Sequence, residues 1–135
     1  MKRGEQMPHR SSAPLGWRMS KSHYSLLGSR CSCGRFFFPK RGICSCGKRT
    51  EDFLFSGSGV VVSFTVIRNA PAGFGLYAPY IVGIIKLDEG PKTTGQVVGS
   101  VKDIKIGSRV RPVFRGLGVG GVGSIIKYTT KFEVV

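Results

Sequence analysis

The sequence predicts a mainly β protein in which a small cysteine-held ribbon precedes a five-stranded barrel. Three observations carry that prediction. All four cysteines fall in two identical C-S-C-G units within RCSCGRFFFPKRGICSCGK, residues 30 to 48. From Gly59 onward apolar residues recur at every second position, the period of a strand. The 20 glycines among 135 residues, about twice ordinary usage, cut that pattern into short runs joined by tight turns. A chain of this length builds one main core and not two large ones. The division reads residues 1–28 as an N-terminal arm with a short helix, 29–55 as a zinc ribbon and 56–135 as the barrel.

The arm opens with MKRGEQMPHRSSA, polar and aperiodic, with Pro8 and paired serines; it is expected to be flexible until a partner orders it. GWRMSKSHYSLLG, residues 16 to 28, carries Trp17, Tyr24, Leu26 and Leu27 among basic and polar residues, a pattern for a short, weak helix running into an extended lead.

Two thiol pairs ten residues apart, each followed by glycine and separated by a turn, have the layout of two knuckles converging on one tetrahedral ion. Cys31, Cys33, Cys44 and Cys46 are the expected ligands of one structural zinc per chain. With Zn–S bonds of about 2.3 Å the sulfurs stand roughly 3.8 Å apart. A C-x-C pair reaches that only in a tight turn, for which Gly34 and Gly47 supply backbone freedom. The alternatives are a disulfide pair, which an intracellular setting disfavours, or separate buried thiols, which the paired spacing disfavours. A site of four thiolates leaves no open position for water, so its metal is structural.

The barrel strands follow in order. GVVVSFTVIR alternates Val60, Val62, Phe64 and Val66 against Val61, Ser63, Thr65 and Ile67. PYIVGIIKL is apolar on both faces and suits a central strand. The turn DEGPK leads into TTGQVVG, completing a meander. VKDIKIG has room for one helical turn, and RVRPVFR and SIIKYTTKFEVV supply the last two strands. Five short strands with a break after the third suit an OB-fold. Pro112 cannot donate to a ladder, which puts it at an edge, a bulge or the open seam.

Lys and Arg number 21 against 7 Asp and Glu, a formal +14, divided between the halves as 11 against 3 through residue 55 and 10 against 4 beyond it. Such a balance attracts polyanions without naming one. No apolar segment follows the basic MKR start, and YIVGII is far below membrane-spanning length. The expectation is a soluble cytoplasmic protein without membrane contact.

In RFFFPKRGI, Phe36 and Phe38 share one face of a hairpin and Pro39 sets a turn that exposes Lys40 and Arg41. The phenylalanines either cover the metal site or, with the basic pair, meet an anionic ligand or partner. The loop NAPAGFGLYAP, residues 69 to 79, carries Phe74 and Tyr77 and is either a binding loop or a cover for one barrel end. Arg109, Arg111 and Arg115 project from one face of their strand, as a charged outer face or a phosphate track. GLGVGGVG, residues 116 to 123, lacks the Lys-Ser/Thr and strand-to-helix setting of a phosphate loop and reads as a connection. His9 and His23 lie in the arm, Asp88 and Glu89 in a turn, and every cysteine is committed. No base, nucleophile and orienting group stand together, so no catalytic residue is expected.

The order WRMSKSHYSLLGSRC, FFFPKR, SFTVIRNAPAGF, PYIVGIIKLDEG, IKIGSRVRPVF and IIKYTTKF resembles the acyl-CoA-associated family that joins a helical arm, a rubredoxin-like zinc ribbon and an OB-fold, once catalogued as domain of unknown function thirty-five. The resemblance runs from Pro14 onward. It implies a non-catalytic partner of thiolase-fold enzymes or of acyl-CoA hydratases. For the archaeal type it implies a bridge between acetoacetyl-CoA thiolase and hydroxymethylglutaryl-CoA synthase in the mevalonate route to isoprenoids, sharing coenzyme A or acyl-CoA between them. On this chain the charge of Lys40, Arg41 and Arg68 suits the coenzyme's phosphates, and Phe38, Phe74 and Tyr77 suit its pantetheine arm or a partner. Two departures from the family pattern are the C-x-C spacing, in place of C-x-x-C, and the lengthened 116–123 loop. The competing reading is a single-stranded nucleic-acid binder, since a basic OB-fold with aromatics can stack bases beside a charged groove. Against it, Phe64, Phe114 and Phe132 alternate into core-facing sets.

Overall fold

The computed structural model describes residues 24–71, 74–117 and 128–135. The expected helical arm lies outside them except at its end. Tyr24 and Ser25 have helical backbone, and Leu26 turns the chain out of it with φ 46. The left-handed region is a usual helix exit for glycine and a costly one for other residues. Leu26 is held there by burial in the core and by its carbonyl, which accepts the Phe55 N–H at 3.3 Å.

The ribbon is a three-stranded antiparallel sheet of β1 (Leu27–Arg30), β2 (Phe36–Phe37) and β3 (Glu51–Leu54), in the order β2-β1-β3. Gly28 sits where a side chain cannot: a Cβ there would meet the Phe55 ring at 2.3 Å and the Phe37 carbonyl at 2.4 Å. The absence of a side chain lets the Phe55 ring close over β1. Phe36, Phe38 and Phe53 all pack edge-on around Phe55.

The five strands expected after Gly59 are all present: β4 (Gly59–Ile67), β5 (Tyr80–Leu87), β6 (Lys92–Val98), β7 (Arg109–Gly116) and β8 (Tyr128–Val134). They form a closed barrel in the order β4-β5-β6-β8-β7. The first three make the antiparallel meander; β8 enters between β6 and β7, parallel to the former and antiparallel to the latter. That is the OB arrangement. β7 meets β4 only through Val110 and Arg109, so Pro112, paired with Phe132 of β8, lies beyond the stretch that closes the barrel, where its missing donor takes no bond from β4.

Val61, Ile81, Ile85, Leu87, Val97, Val110 and Phe132 fill the barrel, Ile104 plugs it from the 99–108 loop, and Leu26 and Phe55 extend the same core into the ribbon. The helical turn expected in VKDIKIG is a turn at residues 101–103. Gly95 makes room for the largest of these side chains, since a Cβ there would meet the Phe132 ring at 2.5 Å.

Two sequence expectations are corrected. β4 does not alternate strictly: a bulge between Val61 and Ser63 adds one residue and reverses the parity. Val61 therefore faces the core before the bulge, and Phe64 and Val66 do so after it. Phe114 is not core-facing. It shares the inner parity of β7 with Val110, but the β7–β8 hairpin outruns the barrel, leaving Phe114 56% exposed. There it stacks on Tyr128 with centroids 5.3 Å apart and receives Tyr24 edge-on at 5.6 Å.

Candidate functional site

The two C-S-C-G units fold as copies of one turn. In the first, the Gly34 N–H donates to the Cys31 carbonyl at 2.9 Å and the Cys31 N–H to the Arg35 carbonyl at 2.8 Å. In the second, Gly47 donates to Cys44 at 2.9 Å and Cys44 to Lys48 at 2.9 Å. Gly34 and Gly47 hold φ of 84 and 81, values that glycine adopts without strain. A side-chain bond from the Arg35 guanidinium to the Ser45 hydroxyl ties one turn to the other.

The turns bring the thiols together in crossed pairs. Cys31 Sγ lies 3.5 Å from Cys46 Sγ, and Cys33 Sγ 3.6 Å from Cys44 Sγ. All four sulfurs fall within 4.8 Å of one another, and none is in a disulfide. These spacings bracket the roughly 3.8 Å edge of a tetrahedral thiolate site. The C-x-C spacing is thus no obstacle to a metal: the close contacts run between the turns, not within them. The inner cysteine of each pair, Cys31 and Cys44, is buried, while Cys33 and Cys46 are exposed.

Electrostatics within the cluster favour ionisation of the inner thiols. The Cys46 backbone N–H holds the Cys44 thiol down to about 6, and the Cys33 backbone N–H draws Cys31 below its ordinary value. Cys33 accepts from the Arg35 backbone, which favours its thiolate, but the neighbouring Cys31 thiol, with burial, pushes it up to about 11. Four thiolates this close need a cation among them. The donor set fits a soft or borderline metal ion bound by sulfur.

The other expected site residues fall into two groups, set at opposite ends of β4. On the ribbon, Phe38 is half-buried against Phe55. Lys40 is engaged, its ammonium 2.5 Å from Asp52. Arg41 lies over the Phe37 ring at 5.2 Å, and its backbone N–H donates to the buried Ser29 hydroxyl at 3.0 Å. Beyond β4, Arg68 is exposed, and Phe74 packs against Tyr77 and Tyr80 with centroids 6.4 and 5.9 Å apart. Between them Gly75–Tyr77 forms a 3-10 turn whose Leu76 is 99% exposed.

Of the arginine row on β7, Arg109 is paired with Asp88 through two bonds of 2.8 and 3.0 Å, and Arg111 with Glu133 at 2.7 Å. These two are a charged outer face tied to its neighbours. The 116–123 loop lies outside the described residues except for Gly116 and Leu117, and so do both histidines. No helix among the described residues is long and apolar enough to cross a membrane. Two features escaped the sequence reading. The exposed Tyr24, Phe114 and Tyr128 stack requires knowing where the barrel ends, and the buried Lys131 requires knowing what folds over β8.

Comparison with known proteins agrees with this architecture. The C-terminal OB-fold domain of ChsH2 matches residues 54–115. The chain is 40% identical over 124 residues to a DUF35 domain-containing scaffold protein of Methanocaldococcus jannaschii, covering 88% of each. It is 38% identical over 122 residues to a protein of the same description from Pyrococcus furiosus, covering 88% of this chain and 90% of that one. Among solved structures it is similar in fold to a chain of the Ltp2-ChsH2(DUF35) aldolase, with a TM-score of 0.67 at 23% identity, covering 95% of this chain and 98% of that chain.

Proposed function

Because the chain belongs to the DUF35 family of scaffold proteins, we propose that it is a non-catalytic scaffold bridging acetoacetyl-CoA thiolase and hydroxymethylglutaryl-CoA synthase. The observation that carries this reading is the 40% identity, across 88% of both chains, with a relative described as a scaffold protein. In this role it helps hold coenzyme A while the acyl group passes from one enzyme to the other, in the mevalonate route. Tethering replaces release and recapture of the intermediate by transfer at a high effective concentration.

Each part has a task in that reading. The first stretch of the arm, residues 1–13, orders on a partner. The ribbon at 29–55 is fixed by one structural zinc on Cys31, Cys33, Cys44 and Cys46, whose closed thiolate set leaves no position for a substrate. The barrel at 56–135 carries the loop of Phe74 and Tyr77. Of Lys40, Arg41 and Arg68, the two arginines are the better placed to meet the coenzyme's phosphates, since each is exposed without a carboxylate partner among the described residues. Lys40 must first leave Asp52. Phe38, Phe74 and Tyr77 offer apolar surface to the pantetheine arm or to an enzyme.

The test is reconstitution of the three purified proteins followed by analytical ultracentrifugation. A species containing both enzymes is expected only when this chain is present. A chain that stays monomeric, binding neither enzyme nor coenzyme A, overturns the proposal.

A further inference from the structure

Two cations on the β7–β8 hairpin stand apart from the rest. Arg115 and Lys131 lie on its outer face as diagonal neighbours, because Val113 is paired with Lys131 and Arg115 with Thr129. Further along the same face Arg111 and Arg109 have their carboxylates. Arg115 and Lys131 have none among the described residues. Lys131 is also buried, only 6% exposed, and among the described residues it shares that standing with one other polar side chain, Ser29. Ser29 is satisfied by the Arg41 N–H. The Lys131 ammonium has instead the face of Tyr77, 5.9 Å from its centroid.

Holding an ammonium at the end of a mostly buried side chain without a counter-charge is costly, and a guanidinium beside it adds repulsion. Burial, and then Arg115, push the Lys131 ammonium below its ordinary value. The chain has little with which to answer this. Of its seven acidic residues, Glu51, Asp52, Asp88 and Glu133 are held in ion pairs, and Glu89 accepts from the Ser56 N–H through Oε1 while its Oε2 is buried without a hydrogen bond. Asp103 makes no ion pair among the described residues, and Glu5 lies outside them.

We propose that Arg115, Lys131 and Tyr77 form a binding site for a phosphate group, closed on one side by the β4–β5 loop. A phosphate carries about −1.5 to −2 charges and three acceptor oxygens, which matches two cations better than a carboxylate does. The Arg115 fork binds two of its oxygens and the Lys131 ammonium meets it as a point charge. The ring of Tyr77, with Phe74 and Tyr80 behind it, gives the organic part of a phosphate ester an apolar surface. Tyr77 also belongs to the surface offered to coenzyme A above, but the phosphate contacts of Arg115 and Lys131 require no enzyme partner, so they are tested separately from the scaffold reading.

The test is calorimetric titration of the full chain, metal loaded, with inorganic pyrophosphate at low salt, and with succinate as the carboxylate comparison. Saturable one-to-one binding of pyrophosphate, tighter than that of succinate, is expected. Lys131→Met, which keeps the buried stem, and Arg115→Gln, at an exposed position, should each weaken it about tenfold or more. Lys102→Gln and Lys105→Gln, distant in the 99–108 loop, should change it less than about twofold. Equal losses in all four variants mean non-specific attraction to a basic protein and overturn the site, as does succinate binding the more tightly. Were Lys131→Met to misfold, an unchanged affinity in Arg115→Gln would overturn it alone.

Discussion

At the scale of single residues the barrel separates positions that look alike in the sequence. Phe114 and Phe132 both sit at inner-facing parity, yet one is 56% and the other 2% exposed. Phe132→Ala should cost about 3–5 kcal/mol in urea denaturation, the loss of a fully buried ring with its cavity. Phe114→Ala should cost about 1 kcal/mol, the worth of a surface aromatic contact. Gly95→Ala is expected to lose about 1–3 kcal/mol by forcing the Phe132 ring aside. Gly42→Ala, where a Cβ meets nothing within 4 Å, should stay within about 0.5 kcal/mol. Period two in SIIKYTTKFEVV gave the right strand and the right inner face. It could not say where that face passes from core to solvent, because this depends on how far β7 and β8 extend past their neighbours.

At the scale of elements, the doubled C-S-C-G was legible because metal ligation leaves a spacing in the chain, and the structure brings all four named thiols together. The cover over β1 was not legible: Phe53 and Phe55 lie in EDFLF, too short a run for its alternation to be distinguished from a connection. The bulge in β4 was hidden for a related reason, since GVVVSFTVI is apolar or β-branched on both faces and either register reads equally well. If the thiols hold one ion, Cys31→Ser should lower the metal content from about one per chain to less than half, read by atomic emission. Binding at pH 7 should release fewer than four protons, because a thiol at about 6, Cys44, has already lost most of its proton there. Acidification through that value returns it and weakens the site. Calorimetry in buffers of different ionisation enthalpy measures the count. Removal of the metal should speed hydrogen exchange between residues 31 and 49 while β5 amides stay protected, since the turn bonds are few and exposed and β5 lies between two partners.

At the scale of the molecule, the barrel was legible from strand count and the break after the third strand, as was the single core; the partners were not, because a charge of +14 attracts many anions alike. That charge still has a measurable consequence. Assembly with an acidic enzyme surface should weaken as salt rises, since the screening length falls from about 8 Å at 0.15 M to about 3 Å at 1 M. Oligonucleotide affinity should be lost more steeply if the competing nucleic-acid reading is right, because each neutralised phosphate releases a counterion. The order of the barrel strands has a further consequence, for biosynthesis. β8, made after the other four strands of the barrel, is the one that joins β6 to β7. Until it emerges, both of those strands present an unpaired edge, the kind of surface that recruits other chains. Among the described residues the ribbon strands pair only with one another, within residues 27–54, and can form while translation continues. The newborn chain therefore carries a finished clip on an open sheet, and its exposure to aggregation ends only when β8 is free to insert.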